Sequence, residues 1–586
     1  MVKELHFETG IDEDPKRCIH AKDWLGYMGN WVEDEPRRTD TWNVNDQSHP
    51  LERDHLIRVK YECLAQRAVA IIERLEDSQL DNFSWNYTTC IPSEVLELLS
   101  LKQPTIGGLS FVTDPFCGRF NRWSRTSDVD LSSFRQLRHL SWKAPMGSHF
   151  DDAAATILNN AHHLQDLELE LQSWSRERES MESRIINRED GSGDWNKTSA
   201  STLLARRIFG LHTRTPDSPP RPLYPSIRNL TLTRLPLKDE ISGQEVTAAS
   251  FNLNTLRSLT LRMCPYWMYL LSSFLDAGVT PELKTLEIVD FYLQTTRQAA
   301  IRKTSIITNF IDSFIGLEEL FVSHCGPVSA LDFWEHVAGH GSTLKRLVHH
   351  QRTTDQDEEL ISCRMGKDLP DFAMSQEDRH RIRQDPFQNP LSRLDLAFLG
   401  LTCAPKYLKD VLLPFVSKKS LKVLHLRHTG VNASSHPSWV FNKALDLKLT
   451  EAESSGKSIN NIRMRNDGSG RKSRRVIVVD PEEIAIAVKE RKQWNTPPLQ
   501  HHFRIFADWA FGPEGIKSLE YIAIGDLSRG NRYEQDNALV CRNVEGESRF
   551  RVIGQRDGGP EWRDVKSRFG SALGACPVEN LIPEYN

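Results

Sequence analysis

One nine-residue rhythm recurs along this chain and limits what it can fold into. In LKTLEIVDF (283–291) the apolar residues are Leu283, Leu286, Ile288 and Phe291. That spacing is neither the 3.6-residue period of a helix nor the alternation of a strand. LEELFVSHC (317–325) places Leu317, Leu320, Val322 and Cys325 at the same offsets, and LRSLTLRMC (256–264) places Leu256, Leu259, Leu261 and Cys264 there. LKVLHLRHT, LSRLDLAFL, IRNLTLTRL and LEYIAIGDL follow the same rule, and LRHLSW, LQDLEL, IGGLSF, LDNFSW, VKELHF and LKRLVH are looser copies. The second apolar position falls at Leu5, Phe83, Leu109, Leu140, Leu167, Leu230, Leu259, Leu286, Leu320, Leu347, Leu394, Leu424 and Ile522. From Leu230 to Leu347 the steps are 29, 27, 34 and 27 residues. A period of this size marks a repeat architecture.

Helical patterns lie between the copies. YWMYLLSSFLDAG carries Leu270, Leu271, Phe274 and Leu275, TSIITNFIDSF carries Ile306, Ile307, Phe310, Ile311 and Phe314, and LDFWEHVAGHG ends in glycines that can stop a helix. Each unit therefore reads strand, turn, helix, turn. One unit cannot bury its own apolar face, so the units must stack. The expected fold class is α/β: a solenoid with short parallel strands on a concave side, helices on a convex side, and polar insertions.

The expected organisation follows from where the rhythm stops. Residues 1–430 read as the solenoid, interrupted by insertions at 173–225 and 352–388. Residues 431–498 read as a polar, partly basic insertion, and 499–586 as a last repeat with a C-terminal cap carrying Tyr533, Phe550, Trp562, Phe569 and Tyr585. The insertions are too polar to offset their ordering entropy, so parts of them are expected to be disordered. Residues 8–50, with Trp24, Trp31 and Trp42, read as an irregular loop. Residues 51–76 read as one helix with Leu56, Val59, Cys63, Leu64, Ala68, Ile71 and Leu75 on one face.

Composition excludes several classes. A net charge of -5 over 586 residues gives no global attraction to nucleic acid. No secretory start is visible, and no apolar stretch approaches the roughly 20 residues of a membrane helix. Ten cysteines include no CxxC pair, which argues against zinc ribbons and thiol–disulfide motifs. Reduced thiols in an intracellular protein, cytoplasmic or nuclear, are expected.

The repeats resemble leucine-rich repeats of the longer, cysteine-containing kind. In LEELFVSHCGPVSALDFWEHV, Leu317, Leu320, Val322, Cys325, Val328 and Leu331 fall where that family places its leucines, cysteine, isoleucine and helix leucine. With its polar insertions and Trp-containing tail, the chain is similar to fungal F-box/LRR-like proteins. The resemblance implies a protein-recognition scaffold, the substrate-binding subunit of a cullin-type ubiquitin ligase. The alternative is a plain repeat scaffold with no ubiquitin role. No F-box is recognisable here. IPSEVLELL (91–99) imitates its opening but reads as a repeat helix, because the strand IGGLSF follows about ten residues later. VKELHF begins at residue 2 with no cap before it, so the chain is expected to lack an upstream module. A ligase adaptor is expected as a partner only if an upstream F-box exists.

No candidate chemistry stands out. GSGRKS (468–473) has Arg471 where a phosphate-binding loop needs glycine. Residues 457–475 carry seven cations against Asp467 and read as a solvated linker. The HH pairs at 162, 349 and 501 lack a third ligand. No catalytic, cofactor or metal site is expected, and the chain is read as no enzyme. The residues between the LxxLxL leucines form the candidate protein-binding face: Asp166, Glu168, Glu170, Thr231, Thr233, Thr260, Arg262, Glu287, Phe321, Ser323, His350, Asp395, His425 and Arg427. The register makes a prediction for chemical denaturation. Leu286→Ala should destabilise by about 2–5 kcal/mol, and Glu287→Ala, as a surface change, by no more than about 0.5 kcal/mol.

Overall fold

The computed structural model describes residues 2–8, 50–86, 91–113, 129–145, 149–171, 200–209, 222–238, 244–290, 297–325, 329–352, 376–427, 440–455, 463–465, 476–478, 481–494, 496–528, 534, 537–543 and 548–577. The architecture is α/β. Fifteen strands, hydrogen-bonded in chain order, make one mostly parallel sheet and alternate along the chain with helices, as in a solenoid-like stack. The chain divides into two compact units, one of Met1–Ser258 with Cys264–Val279 and one of Leu259–Met263 with Thr280–Glu579.

A single backbone device opens the strands in both units. The N–H groups of Gly107 and Gly108 both donate to the Asp81 carbonyl, and those of Arg138 and His139 to Gly107. The pattern continues with Gln165 and Asp166 onto Arg138, and in the second unit with Lys345 and Arg346 onto Glu318 and with Lys422 and Val423 onto Ala397, at 2.7–3.2 Å throughout. Buried polar side chains reinforce it. Gln103 Oε1, Asn160 Oδ1 and His340 Nδ1 accept the N–H of Leu80, Leu137 and Leu317, the first leucine of the preceding repeat.

The first unit contains β1 (Glu4–Glu8), α1 (Pro50–Arg74), β2 (Asn82–Asn86), α2 (Ser93–Lys102), β3 (Gly108–Val112), β4 (His139–Lys143), α3 (Phe150–Asn160), β5 (Asp166–Glu170), α4 (Ala200–Ile208), β6 (Asn229–Thr233) and α5 (Trp267–Asp276). Leu5, Phe83, Leu109, Leu140, Leu167 and Leu230 lie side by side in parallel register, as the rhythm requires. Trp85, Phe111, Trp142, Leu169 and Leu232 are buried two residues on, with Val95, Leu99, Ile157 and Ile208 of the helices. The face of α1 differs in part from expectation. Ala68 and Leu75 are buried as expected, with Ala65 and Ile72 beside them, whereas Val59, Cys63 and Ile71 are exposed; α1 packs against α2.

The second unit contains β7 (Ser258–Arg262), β8 (Thr285–Val289), α6 (Arg297–Asp312), β9 (Glu319–Cys325), α7 (Ala330–Val337), β10 (Arg346–Arg352), α8 (Gln376–Gln384), β11 (Phe398–Leu401), α9 (Pro405–Leu412), β12 (Val423–Leu426), α10 (Lys443–Ser455), β13 (Arg463–Arg465), β14 (Val476–Val478), α11 (Pro481–Trp494), α12 (His501–Ala510), β15 (Tyr521–Ile524), β16 (Ala538–Arg542), β17 (Phe550–Gly554) and α13 (Pro560–Gly574). Leu286, Leu320, Leu347, Leu399, Leu424 and Ile522 are in register. Leu394 is the exception. Pro390–Arg393 turn as a 3-10 helix, capped by Asn389, so the strand starts later and Leu399 takes the expected place of Leu394. β16 and β17 then run antiparallel beyond β15.

Parts of the insertions are folded. Asp378 of α8 accepts from Ser329 Oγ and the Ala330 N–H, tying that helix to the start of α7. α10 and α11 share a small core of Leu445, Leu449, Ile484 and Ala487. Residues 172–199, 210–221, 353–375, 428–439, 456–462 and 466–475, on which the remaining expectations of disorder and the basic linker fall, lie outside the described residues, as does the loop 9–49.

The core of the second unit holds a line of neutral imidazoles. Trp334 Nε1–H donates to His349 Nδ1 at 2.9 Å, so His349 carries its proton on Nε2 and donates to His324 Nε2, also at 2.9 Å. Burial lowers His324 to about 4, and burial together with His324 puts His349 well below the ordinary range. Burial likewise lowers His149 to about 4 and His425 to about 3. The unfolded chain takes up protons on these rings near pH 6.5, whereas the native chain keeps them neutral until about pH 4. Stability is therefore full above the unfolded value and is lost as pH falls from about 6.5 towards 4. Urea midpoints at about pH 7.5, 6 and 4.5 should fall in that order, and His324→Leu should flatten the slope.

Candidate recognition surface

Alternate residues of each strand point away from the helices that cover the LxxLxL side chains. The two units use this second face differently.

In the second unit it is a second hydrophobic core. Met263, Val289, Phe321, Val348, Phe398, Val423, Ala523, Leu539 and Cys541 come from successive strands and pack against Trp562, Val565, Phe569, Ala572 and Leu573 of α13. The Phe569 ring centre lies 5.8 Å from that of Phe398, where the helix kinks. Polar contacts fix the edges. Arg346 donates to Ser571 Oγ and to the Arg568 carbonyl, Tyr521 O–H to Asp564, and Trp562 Nε1–H to the Gly554 carbonyl. Beyond the helix the Cys576 N–H donates to Glu287 Oε1 at 2.7 Å, and Arg427 Nη2 donates to the Cys576 carbonyl at 2.8 Å.

The expected binding residues on this unit are thus occupied by the chain itself. Glu287, Phe321, Ser323, His350, His425, Arg427 and Thr260 are buried. Glu287, expected to be a surface residue, is 3% exposed and accepts Arg262 Nε and Nη2, both at 2.8 Å. Asp395 is exposed but lies before β11, off the strand, because of the shifted repeat. The Ser420 hydroxyl, then Lys345, hold its carboxyl below the ordinary range. The aromatic tail does more than cap an end: β17 extends the sheet and α13 covers its face. The signal that could have found this was apolar Val289, Phe321, Val348 and Val423 at outward positions, matched by the apolar stripe of 562–573.

In the first unit the same positions are polar. His6, Ser84, Ser110, Ser141, Glu168 and Thr231 lie side by side on six parallel strands. Ser110, Ser141, Glu168 and Thr231 are half-buried, whereas the outward Phe321, Val348, Phe398 and Val423 of the second unit are buried against α13. The row before it includes Asn82, His139, Asp166 and Asn229, and the row after it Asn86, Lys143, Glu170 and Thr233. Their side chains are cross-linked. Ser141 Oγ donates to Glu168 at 2.5 Å, and Lys143 Nζ stands 3.4 Å from the same carboxylate. Asn229 donates to Asp166 at 2.6 Å, and His139 contacts the other oxygen of that carboxylate. Ser110 donates to Asn86, which donates to Ser84. Of the expected residues here, Asp166, Glu168 and Thr231 are accessible, while Glu170 and Thr233 are buried.

Among the described residues no three His, Cys, Asp or Glu side chains are grouped to hold a metal ion, and no helix is long and apolar enough to cross a membrane. Cys264, in the cysteine position of its repeat, is buried with Sγ 3.2 Å from the Leu232 carbonyl. Compared with protein-family models, curated proteins and solved structures, the chain matches none.

The burial of Glu287 reverses its earlier expectation. Glu287→Ala leaves Arg262 and the Cys576 N–H without their acceptor, and should cost about 3 kcal/mol, the low end for breaking a buried pair. Phe569→Ala should cost about 3–5 kcal/mol as a large core truncation, and Ser110→Ala no more than about 0.5 kcal/mol. Denaturant unfolding of the three variants checks the ranking.

Proposed function

We propose that this chain is a non-catalytic protein-recognition scaffold of the leucine-rich-repeat type, and that it holds its target on the polar rows of the first unit. The observation that carries this reading is the contrast between the two faces. One is apolar and filled by α13, and the other offers Asp166, Glu168, Thr231 and the serines between them at half-buried positions. Protein interfaces combine such hydrogen-bonding groups with partial desolvation. The acids Asp166 and Glu168 outnumber Lys143, which favours a target segment bearing Arg or Lys.

The resemblance to F-box/LRR-like proteins narrows the role to the substrate-binding subunit of a cullin-type ubiquitin ligase. A plain scaffold with no ubiquitin role is the alternative. The two are separated by affinity purification and mass spectrometry of the tagged protein beside an Asp166→Lys/Glu168→Lys variant. Proteins that co-purify with the wild type and are lost from the variant, while both melt within about 0.5 °C of each other, identify the target; 0.5 °C is roughly a 0.5 kcal/mol change in a chain of this size. Ligase subunits in both eluates support the ubiquitin role, and their absence even from a version extended upstream by an F-box leaves the plain scaffold. Identical eluates from wild type and variant overturn recognition through this face.

A further inference from the structure

Beneath Cys576, the polar end of the second unit's face holds donors and an acceptor that the chain does not meet. Arg427 is 2% exposed. Its Nη2 donates to the Cys576 carbonyl, but Nε and Nη1, with three N–H groups between them, have no hydrogen-bond partner. The acids nearby are committed elsewhere: Glu287 to Arg262 and the Cys576 N–H, and Asp526 to the N–H and hydroxyl of Ser528. One strand away, Thr402 is 5% exposed and its Oγ1 is also unmatched. Thr402 and Arg427 directly follow the paired Leu401 and Leu426, and the Arg427 N–H donates to the Leu401 carbonyl at 2.9 Å. Alternation then puts both side chains on the same face as His425. His425 is fully buried, and Nε2–H donates to the Gly525 carbonyl at 2.8 Å. Its Nδ1 lone pair has no donor.

Buried polar groups are ordinarily matched, and a guanidinium withdrawn from water without a carboxylate is costly. Here three unmatched side chains lie at neighbouring register positions. Their demands are specific: several donors for negative oxygen, and one acceptor for an acid proton. We infer that Arg427, Thr402 and His425 form a binding site for a small tetrahedral oxyanion that keeps an acid proton, of the hydrogen phosphate kind. The Cys576 carbonyl stands where one ligand oxygen would accept from Arg427 Nη2. Cys576 itself has φ +52°, a conformation uncommon outside glycine, and its backbone hydrogen bonds to Glu287 and Arg427, together with its buried side chain, hold it there. Ligand entry lifts this segment. The hydroxyl of the bound anion then donates to His425 Nδ1, and its charged oxygens accept from Arg427 and Thr402.

Calorimetric titration of the full chain with inorganic phosphate and, separately, with sulfate near neutral pH tests this. Sulfate has the charge and shape but no acid proton. The expected result is saturable 1:1 binding of phosphate, at least about tenfold tighter than sulfate (about 1.4 kcal/mol). Arg427→Met should abolish it and Thr402→Val should weaken it severalfold, with folding checked by circular dichroism. Amide exchange across residues 571–577 should speed up with phosphate, as the Cys576 N–H leaves Glu287. No binding, equal affinity for the two anions, or binding unchanged in Arg427→Met, as for an adventitious ion only, overturns the site. If Arg427→Met does not fold, unchanged phosphate affinity in Thr402→Val overturns it instead.

Discussion

Two successive N–H groups converging on one carbonyl of the preceding repeat start strand after strand in this chain, and much else follows from that arrangement. The bond fixes where each strand begins relative to its neighbour, so the following leucines fall into register without further instruction. It also isolates the strands from what lies between them. Closing a loop costs only slowly more as the loop lengthens, so 45 residues between β10 and β11, or 94 between β12 and β15, leave the pairing unchanged. Gln103, Asn160 and His340 act on the same junction, each buried and each satisfying the first leucine N–H of the repeat before it. Three chemically different residues serve one geometric need, which explains why no motif at that position is visible in the sequence.

Once register is fixed, the outward residue of each strand decides what lies on the second face. Polar side chains in the first unit hydrogen-bond across strands, Ser141 to Glu168 and Ser110 to Asn86, and tolerate water. Valine, phenylalanine and leucine in the second make an apolar surface too large to be left to solvent, and α13 covers it. A buried ion pair ties that cover to the sheet: Arg262 and Glu287 are matched so that the carboxylate can still accept the Cys576 N–H. Such a pair contributes little to net stability compared with apolar residues of the same shape, but it is sensitive to removal of either member.

Much of this was legible in the rhythm of the sequence. Twelve of the thirteen positions read from it lie on strands of the sheet, including those as far apart as Leu5 and Ile522. Leu394 misled because LSRLDLAFLGL contains two overlapping copies of the spacing, and the choice between them was made by the Asn389 cap and the 3-10 turn after it, which are tertiary and local effects that periodicity does not carry. The inward face of α1 was misjudged in part: Ala68 and Leu75 were placed correctly, but the period was followed through Val59, Cys63 and Ile71 and passed over Ala65 and Ile72. The position of α13 was beyond the reach of a repeat argument, since its partners are drawn from successive strands spread between Val289 and Cys541. The unmatched atoms of Arg427, Thr402 and His425 became visible only when burial and hydrogen bonding were known for all three.

The distance in sequence between α13 and the strands it covers has a consequence during synthesis. Val289 leaves the ribosome 271 residues before Pro560 (560 minus 289). At about 5–20 residues per second, the growing sheet carries its uncovered apolar rows for roughly 15–50 s. In that interval the nascent chain offers parallel strands with a greasy flank to whatever is nearby, including neighbouring chains on the same message. A holdase that occupies Phe321, Val348 and Phe398 until α13 arrives would be standing in for the helix. Cellular yield of this protein therefore depends on the supply of such chaperones, and on how fast the message is read between those two points, independently of how stable the finished fold is.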